Sequence, residues 1–350
     1  MNWTQESSAT LNIKSQKAAE RRQAQLTKPA GSLGRLEDIA IRLAAMQGTE
    51  SPQINKPYIA VFAGDHGIAA EGVSAFPQVV TGEMIRNFAR GGAAISVLAK
   101  AQGATLSVVN CGTAYPVEPL AGVHDFSIAA GTANFLRQAA MSAEQCAIAL
   151  AIGKKTVETA IEQGADIFIA GEMGIANTTS ATAIACALLD LSAKKVAGKG
   201  TGIDDSQLAH KIEVIEQALM AHLKDLTSPL AILQHLGGFE IAAIVGAYIA
   251  CAKHGLPMII DGFICSAAAL VATRHHPEVK KWMIFAHASA EPGHAVMMQA
   301  LDANTLLDLG MRLGEGSGAA TALSIIKLAC DLHNKMATFA QAGVSDNHSS

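Results

Sequence analysis

Four acidic residues stand beside glycine where the chain is expected to turn, and the chemistry is sought there first. Three of them end apolar runs: Phe62-Ala63-Gly64-Asp65-His66-Gly67, Ile169-Ala170-Gly171-Glu172-Met173-Gly174 and Ile260-Asp261-Gly262-Phe263. Glycine lets the backbone come close to a ligand, and a carboxylate held there can move a proton or bind a hydroxyl. Any one acid reads equally well as a helix cap and its glycine as a turn residue. Three of one form favour a shared crevice. The fourth, Glu315, lies in Met311-Arg312-Leu313-Gly314-Glu315-Gly316-Ser317-Gly318-Ala319-Ala320, ahead of an apolar helix. Its glycine neighbours leave no local partner for a structural ion pair. A capping acid near a helix dipole is the plainer reading. A general base whose pKa is raised by burial is the better one.

Anion-binding signals lie close by. Ala176-Asn177-Thr178-Thr179-Ser180 follows an apolar strand and opens a helix, so free N–H groups and hydroxyls could cradle a phosphate. Simple capping by Asn177 or Thr178 accounts for the same residues. Gly198-Lys199-Gly200-Thr201-Gly202 is a second glycine-rich turn. It matches neither a Walker A loop nor a full dinucleotide fingerprint, and a plain flexible loop is its bland alternative. Lys211 falls at the edge of the next apolar stripe, where a snorkelling surface lysine is the simpler reading. His287, Glu291 and His294 form H-x-x-x-E-x-x-H, which has no zinc spacing behind it, and no metal is expected. His275-His276 before Pro277 reads as a surface loop. No G-x-S-x-G elbow occurs, and Asp204-Asp205-Ser206 is explained by a helix N-terminus.

The elements that must position these groups follow from pattern. Short apolar runs at 58–63, 105–110, 166–170, 195–198, 258–261 and 282–286 alternate with helical stretches, as in βαβ units. Ser142-Ala143-Glu144-Gln145 predicts a capping box for a helix that stops near Gly164. Asp205 or Ser206 is expected to cap another, with the stripe Leu208, Ile212, Ile215 and Leu219. The fold class is therefore α/β: a Rossmann-like, doubly wound, mostly parallel sheet of about six strands. Helices at 16–26 and 36 to about 46, separated by Lys28-Pro29, make residues 1–55 a small helical subdomain that a C-terminal helix (about 319–340) could complete. Residues 56–318 then form the large catalytic domain, and 343–350 a frayed tail.

The 350-residue chain is 50% apolar but only 4% aromatic, which suits small-residue helices on parallel strands. A net charge of −4 without a basic block argues against nucleic acid as partner. Six scattered cysteines read as reduced core thiols. The polar N-terminus has no signal-peptide pattern, and the longest apolar run, 241–252, is shorter than the roughly 20 residues a bilayer requires. A soluble cytoplasmic protein without membrane partner is expected. A nicotinamide-dependent dehydrogenase, a non-catalytic nucleotide sensor and a ribosyl hydrolase are the rival readings.

As a set the motifs resemble the nicotinate-nucleotide–dimethylbenzimidazole phosphoribosyltransferase family. The resemblance is carried by Lys28-Pro29-Ala30-Gly31-Ser32-Leu33-Gly34-Arg35-Leu36-Glu37, Gly64-Asp65-His66-Gly67 with Glu71-Gly72-Val73 and Pro77, Gly91-Gly92-Ala93-Ala94-Ile95, Gly171 through Thr179, Asp261-Gly262-Phe263, and Arg312 through Ala320. It runs in order from about Lys28 to about Asn334. It implies a homodimer without cofactor that converts nicotinate mononucleotide and 5,6-dimethylbenzimidazole to α-ribazole 5′-phosphate and nicotinate, a step in assembling the lower ligand of cobalamin. It implies inversion at the anomeric carbon with Glu315 as general base and Glu172 as a second acid near the ribose. Gly174, Asn177, Thr178, Thr179, Ser180, Gly200, Thr201, Gly202 and Lys211 would hold phosphate and ribose. Asp65, His66, Phe76, Pro77, Gln78, Met84, Leu313 and Gly314 would form the base pocket. Which base is preferred (dimethylbenzimidazole, benzimidazole, adenine or a phenol) stays open.

Overall fold

A computed structural model of the chain describes residues 2–200 and 202–345. Six parallel strands form one sheet: β1 (Pro57–Gly64), β2 (Thr105–Gly112), β3 (Val123–Asp125), β4 (Ile167–Met173), β5 (Met258–Ile260) and β6 (Met283–Phe285). Their order is β3-β2-β1-β4-β5-β6, so the winding direction reverses between β1 and β4. Such a reversal leaves a crevice outside the strand ends. Every residue of β1 is buried, which requires cover on both faces of the sheet.

Helices α1 (Ile13–Gln25) and α2 (Arg35–Gln47) precede the sheet. Between β1 and β2 lie α3 (Val79–Arg90) and α4 (Ala94–Gln102), and α5 (Ala143–Glu162) leads into β4. The long β4–β5 connection holds α6 (Asn177–Leu189), α7 (Ala193–Val196), α8 (Asp205–His222), α9 (Pro229–Leu236) and α10 (Phe239–His254). Then come α11 (Phe263–His275), α12 (His294–Ala300) and α13 (Ser317–Lys335). Helices α5, α10 and α11 form one packed group against the sheet, and α2, α4 and α13 another. Ile39, Leu43 and Met46 of α2 belong to the same continuous core as the strands. Arg22 and Gln23 of α1 bond to His333 near the end of α13.

Local sequence explains most boundaries. Ser142 and Gln145 form the capping box in full. Helix α10 ends at Gly255 in the left-handed conformation after Lys253-His254. Among the described residues no helix is long and apolar enough to cross a membrane. All six cysteines are buried and unpaired.

Several expectations are corrected. Residues 195–198 are not a strand: Ala193 and Val196, both buried and three apart, form one side of the short α7. The sixth strand is instead β3, three residues on the sheet edge with His124 and Asp125 exposed, too short and polar to stand out. The cap of α8 is Asp204, whose side chain accepts from the N–H of Gln207 while Gln207 returns the bond, so the helix starts one residue earlier than expected. His275 is the last residue of α11 and not a loop residue, while His276 does lie in the connection that follows; both are half-buried and bond to Thr4 and to the Glu6 carbonyl, pinning the N-terminal segment. Of the expected frayed tail, residues 346–350 lie outside the described residues, as does Thr201.

Candidate active site

A cleft of about 660 Å³ opens at the carboxyl end of the sheet. Its wall takes Glu172 from the end of β4 and Gly174 just after it, Asp261 and Gly262 from just beyond β5, and His287 from just beyond β6. The Arg312–Glu315 loop closes one side, and Phe76, Val80 and Met84 supply apolar surface. The volume falls in the range that holds a small-molecule ligand.

Glu315 occupies the tightest part of the wall. Its φ is +63°, and Gly314 and Gly316 on either side are also positive at +90° and +84°. A left-handed conformation costs a residue with a side chain on the order of 1–3 kcal/mol, so the surroundings must hold it there. They do so by contact. A Cβ at Gly171 would lie 2.2 Å from the Glu315 carbonyl oxygen, and one at Gly314 would lie 2.2 Å from Glu172 Oε1. The end of β4 and the Glu315 loop therefore touch backbone to backbone. The Glu315 carboxylate accepts the backbone N–H of Ile95, 3.3 Å away in the first turn of α4. It does not cap α13, the helix it precedes; that helix has no side-chain cap, and the Ala319 N–H bonds Asp261 Oδ1 at 2.8 Å. Burial raises the Glu315 pKa, the Ile95 N–H works against this, and Asp261 adds a smaller upward push.

Glu172 lies beside it. Its Oε2 accepts from the Asn177 side-chain amide and its Oε1 from the Glu315 N–H at 3.4 Å. Burial first, then the charges of Asp261 and Glu240, push its pKa up to about 8. Asp261 is raised by burial as well, opposed chiefly by His287, whose Nε2 stands 3.7 Å away. Three carboxyl groups thus share a poorly solvated wall where protonation is favoured.

A cationic side chain from α8 lies behind the cleft wall, against Thr178 of its lining. Lys211 is 1% exposed, on the buried face of α8 with Val214, Ile215 and Ala218. Its Nζ donates to Thr178 Oγ1 at 2.8 Å and to the Gly198 carbonyl at 3.2 Å. Both acceptors are neutral, and among the described residues no carboxylate forms an ion pair with it. Burial lowers its pKa to about 8, with the charge of Glu291 acting the other way. A buried ammonium without a counter-ion is costly, and an anionic ligand would relieve that cost. Gly200, with φ +52°, brings its backbone against Thr178: a Cβ there would lie 2.9 Å from Thr178 Oγ1. Arg312 donates to the Gly200 carbonyl at 3.0 Å.

The remaining candidates divide by position. Glu315, Glu172, Gly174, Asn177, Thr178, Gly200, Phe76, Met84, Leu313 and Gly314 line the cleft, and Phe76 and Leu313 are half exposed at its edge. Asp65 and His66 lie beneath it with no exposure. Asp65 accepts from the Thr81 hydroxyl at 2.7 Å and the Ala114 N–H at 2.8 Å, joining β1 to α3 and the loop after β2. His66 is held between Ser180 Oγ, 2.8 Å away, and Glu240 Oε1, 2.7 Å away. Thr179 is likewise buried. Pro77 is exposed outside the cleft lining, Gln78 donates to the His66 carbonyl at 3.1 Å, and Gly202 is exposed on the turn after Gly200.

The cleft also contains groups that the sequence reading left aside: His287, Ser289, Glu291 and Arg312. His287 follows a strand end as Glu172 and Asp261 do, and that position was the available signal. Asn177 opens α6 but serves the Glu172 carboxylate instead of capping; the cap position is Ala176 at φ +75°.

Comparison with known proteins bears on this arrangement. A phosphoribosyltransferase family model matches residues 9–344. A nicotinate-nucleotide–dimethylbenzimidazole phosphoribosyltransferase of Pseudomonas aeruginosa (strain LESB58) is 55% identical over 99% of both chains. The crystal structure of CobT from Thermus thermophilus superposes with a TM-score of 0.92 at 40% identity, over 95% of this chain and 100% of that one. A second structure from that organism, named as a nicotinate-nucleotide–dimethylbenzimidazole phosphoribosyltransferase, gives 0.91 at 39% identity over 96% and 100%. Family model, near-full-length relatives and matching fold agree: the chain is an enzyme of the nicotinate-nucleotide–dimethylbenzimidazole phosphoribosyltransferase family.

Proposed function

We propose that this enzyme transfers the phosphoribosyl group of nicotinate mononucleotide to 5,6-dimethylbenzimidazole, as a cytoplasmic homodimer in the lower-ligand branch of cobalamin synthesis. One imidazole nitrogen attacks the ribose anomeric carbon as the bond to the pyridinium nitrogen breaks. The electron pair of that bond leaves with nicotinate, and the proton on the other imidazole nitrogen passes to Glu315. Attack from the face opposite the leaving group turns the β-nucleotide into the α-nucleotide. The leaving group is already cationic, so orientation and removal of one proton remain for the protein.

The observation that carries this reading is the pairing of a strained, buried Glu315 in the cleft with a buried Lys211 behind its wall that, among the described residues, forms no ion pair. The first suits a base that must be neutral after the step, and the second suits the 5′-phosphate. Thr178 and the Gly200 turn complete the phosphate cradle, and Asn177 and Glu172 face the ribose. The apolar surface of Phe76, Val80 and Met84 fits a planar aromatic base. General-base help contributes about 10²–10⁴-fold, or roughly 3–5 kcal/mol, and placement of the substrates supplies much of the rest.

The reading is tested by incubating the enzyme with nicotinate mononucleotide, with and without dimethylbenzimidazole. α-Ribazole phosphate and nicotinate should appear together and only when the base is present, with the α configuration established by NMR. Release of ribose phosphate without a conjugate would make the enzyme a hydrolase instead.

A further inference from the structure

The buried face of α8 that holds Lys211 carries His222 about three turns later, at the other end of the helix. His222 Nε2 lies 2.7 Å from the Phe135 carbonyl, and its Nδ1 lies 3.0 Å from Nδ1 of His235 on α9. The two rings meet edge to face, with centroids 4.9 Å apart and planes 72° apart. Asp225, in the turn between the helices, brings a carboxylate oxygen within 4.8 Å of a ring nitrogen of each histidine. That turn is drawn tight by the Asp225 N–H on the His222 carbonyl at 2.7 Å.

A carbonyl only accepts, so His222 Nε2 carries the hydrogen and neutral His222 presents a lone pair at Nδ1. The hydrogen between the two Nδ1 atoms then belongs to His235. A cation fits in the place of that hydrogen. At a tetrahedral angle, Zn–N bonds of about 2.0–2.1 Å set two nitrogens roughly 3.3–3.4 Å apart, so the observed 3.0 Å opens by a few tenths of an ångström on binding. The carbonyl behind His222 is the outer partner that fixes a ligating imidazole in one tautomer.

We propose that His222, Asp225 and His235 form a site for one borderline divalent cation such as Zn²⁺, apart from the catalytic cleft. Two imidazoles and one carboxylate favour such an ion over Mg²⁺ or Ca²⁺, and the exposed side at Asp225 leaves room for water as a further ligand. Binding moves the His235 hydrogen from Nδ1 to Nε2, so no proton is lost at neutral pH. The ion ties the end of α8 to α9 and steadies the helix that carries Lys211.

The full chain, stripped with a chelator, is titrated with Zn²⁺ by calorimetry and with Co²⁺ by visible absorption, alongside His235→Ala and Asp225→Asn. The site predicts one equivalent of metal per chain, d–d bands of nitrogen–oxygen ligation, and a rise in melting temperature on adding Zn²⁺. His235→Ala should weaken binding by more than about a hundredfold, beyond what an outer-shell partner alone contributes. Neither side chain lines the cleft, so unchanged turnover without metal shows that both variants are folded. The proposal fails if the unaltered chain takes up no Zn²⁺. It fails equally if both variants bind as the unaltered chain does, which would assign uptake to others of the 12 histidines.

Discussion

Lys211 is the side chain whose role depends most on the folded structure. Its ammonium is buried against two neutral oxygens, and its pKa is drawn down to about 8 by that burial. Lys211→Met keeps the length and removes the charge. Losing one charge-assisted contact of about 1.5–3 kcal/mol should raise KM for nicotinate mononucleotide roughly ten- to a hundredfold. Thermal stability at pH 7 should hold or rise, because a buried unpaired charge has been removed. A fall in stability with unchanged KM would make Lys211 a structural residue. Glu172 gives a second residue-scale test. Its folded pKa of about 8 lies above the ordinary 4.5, so the native state binds the extra proton between those values. Stability from this group is therefore full below pH 4.5 and is lost as the pH rises towards 8. Glu172→Gln, which mimics the protonated acid, should differ little from the unaltered enzyme in melting temperature at about pH 4.5 and be the more stable above about pH 8. The two residues also differ in how legible they were. Glu172 announced itself by following an apolar run beside glycine. Lys211 did not, because a lysine in an apolar stripe looks like a snorkelling one until the partners at its tip are known.

At the scale of elements, glycines set how closely the layers approach. Gly153 of α5 and Gly246 of α10 face each other's helices: added Cβ atoms would lie 1.8 Å from the Ala243 carbonyl oxygen and 2.1 Å from that of Leu150. In an isolated helix Gly→Ala stabilises by about 1 kcal/mol. Here Gly153→Ala should instead destabilise by about 1–3 kcal/mol or more, since neither backbone can yield without moving its helix. Chemical denaturation measures the sign, and a stabilised variant would mean the helices are less tightly seated than these contacts imply. The sequence showed α5 as a helix, from its Ser142 capping box, but not how α5 and α10 pair. Periodicity reports which face is buried, not the partner across it. The same limit explains residues 195–198, where two apolar residues after lysines could belong to either period, and β3, whose identity as a strand rests on pairing with β2.

For the whole molecule, the reversal of strand order between β1 and β4 decides where the chemistry is. Strand ends far apart in sequence, at Glu172, Asp261 and His287, meet there with a loop from residues 312–315. That the sheet was parallel and about six-stranded could be read from alternating runs; the strand order could not, since it depends on long-range pairing. Nucleotide binding should stabilise the folded chain as a unit. At a hundred times Kd, nicotinate mononucleotide should add about 2.7 kcal/mol at the unfolding midpoint. The shift in melting temperature should shrink sharply in Lys211→Met, and an equal shift in both would place the phosphate elsewhere. The central claim is that Glu315 takes the proton from the incoming base. It is tested most directly by single-turnover kinetics of Glu315→Gln against the unaltered enzyme across pH, with binding of both substrates measured separately. The account predicts retained binding, a rate lower by at least about a hundredfold, and loss of an acid limb that in the unaltered enzyme lies above pH 4.5 because burial raises the Glu315 pKa. A variant that turns over at an undiminished rate with the same pH profile would contradict it.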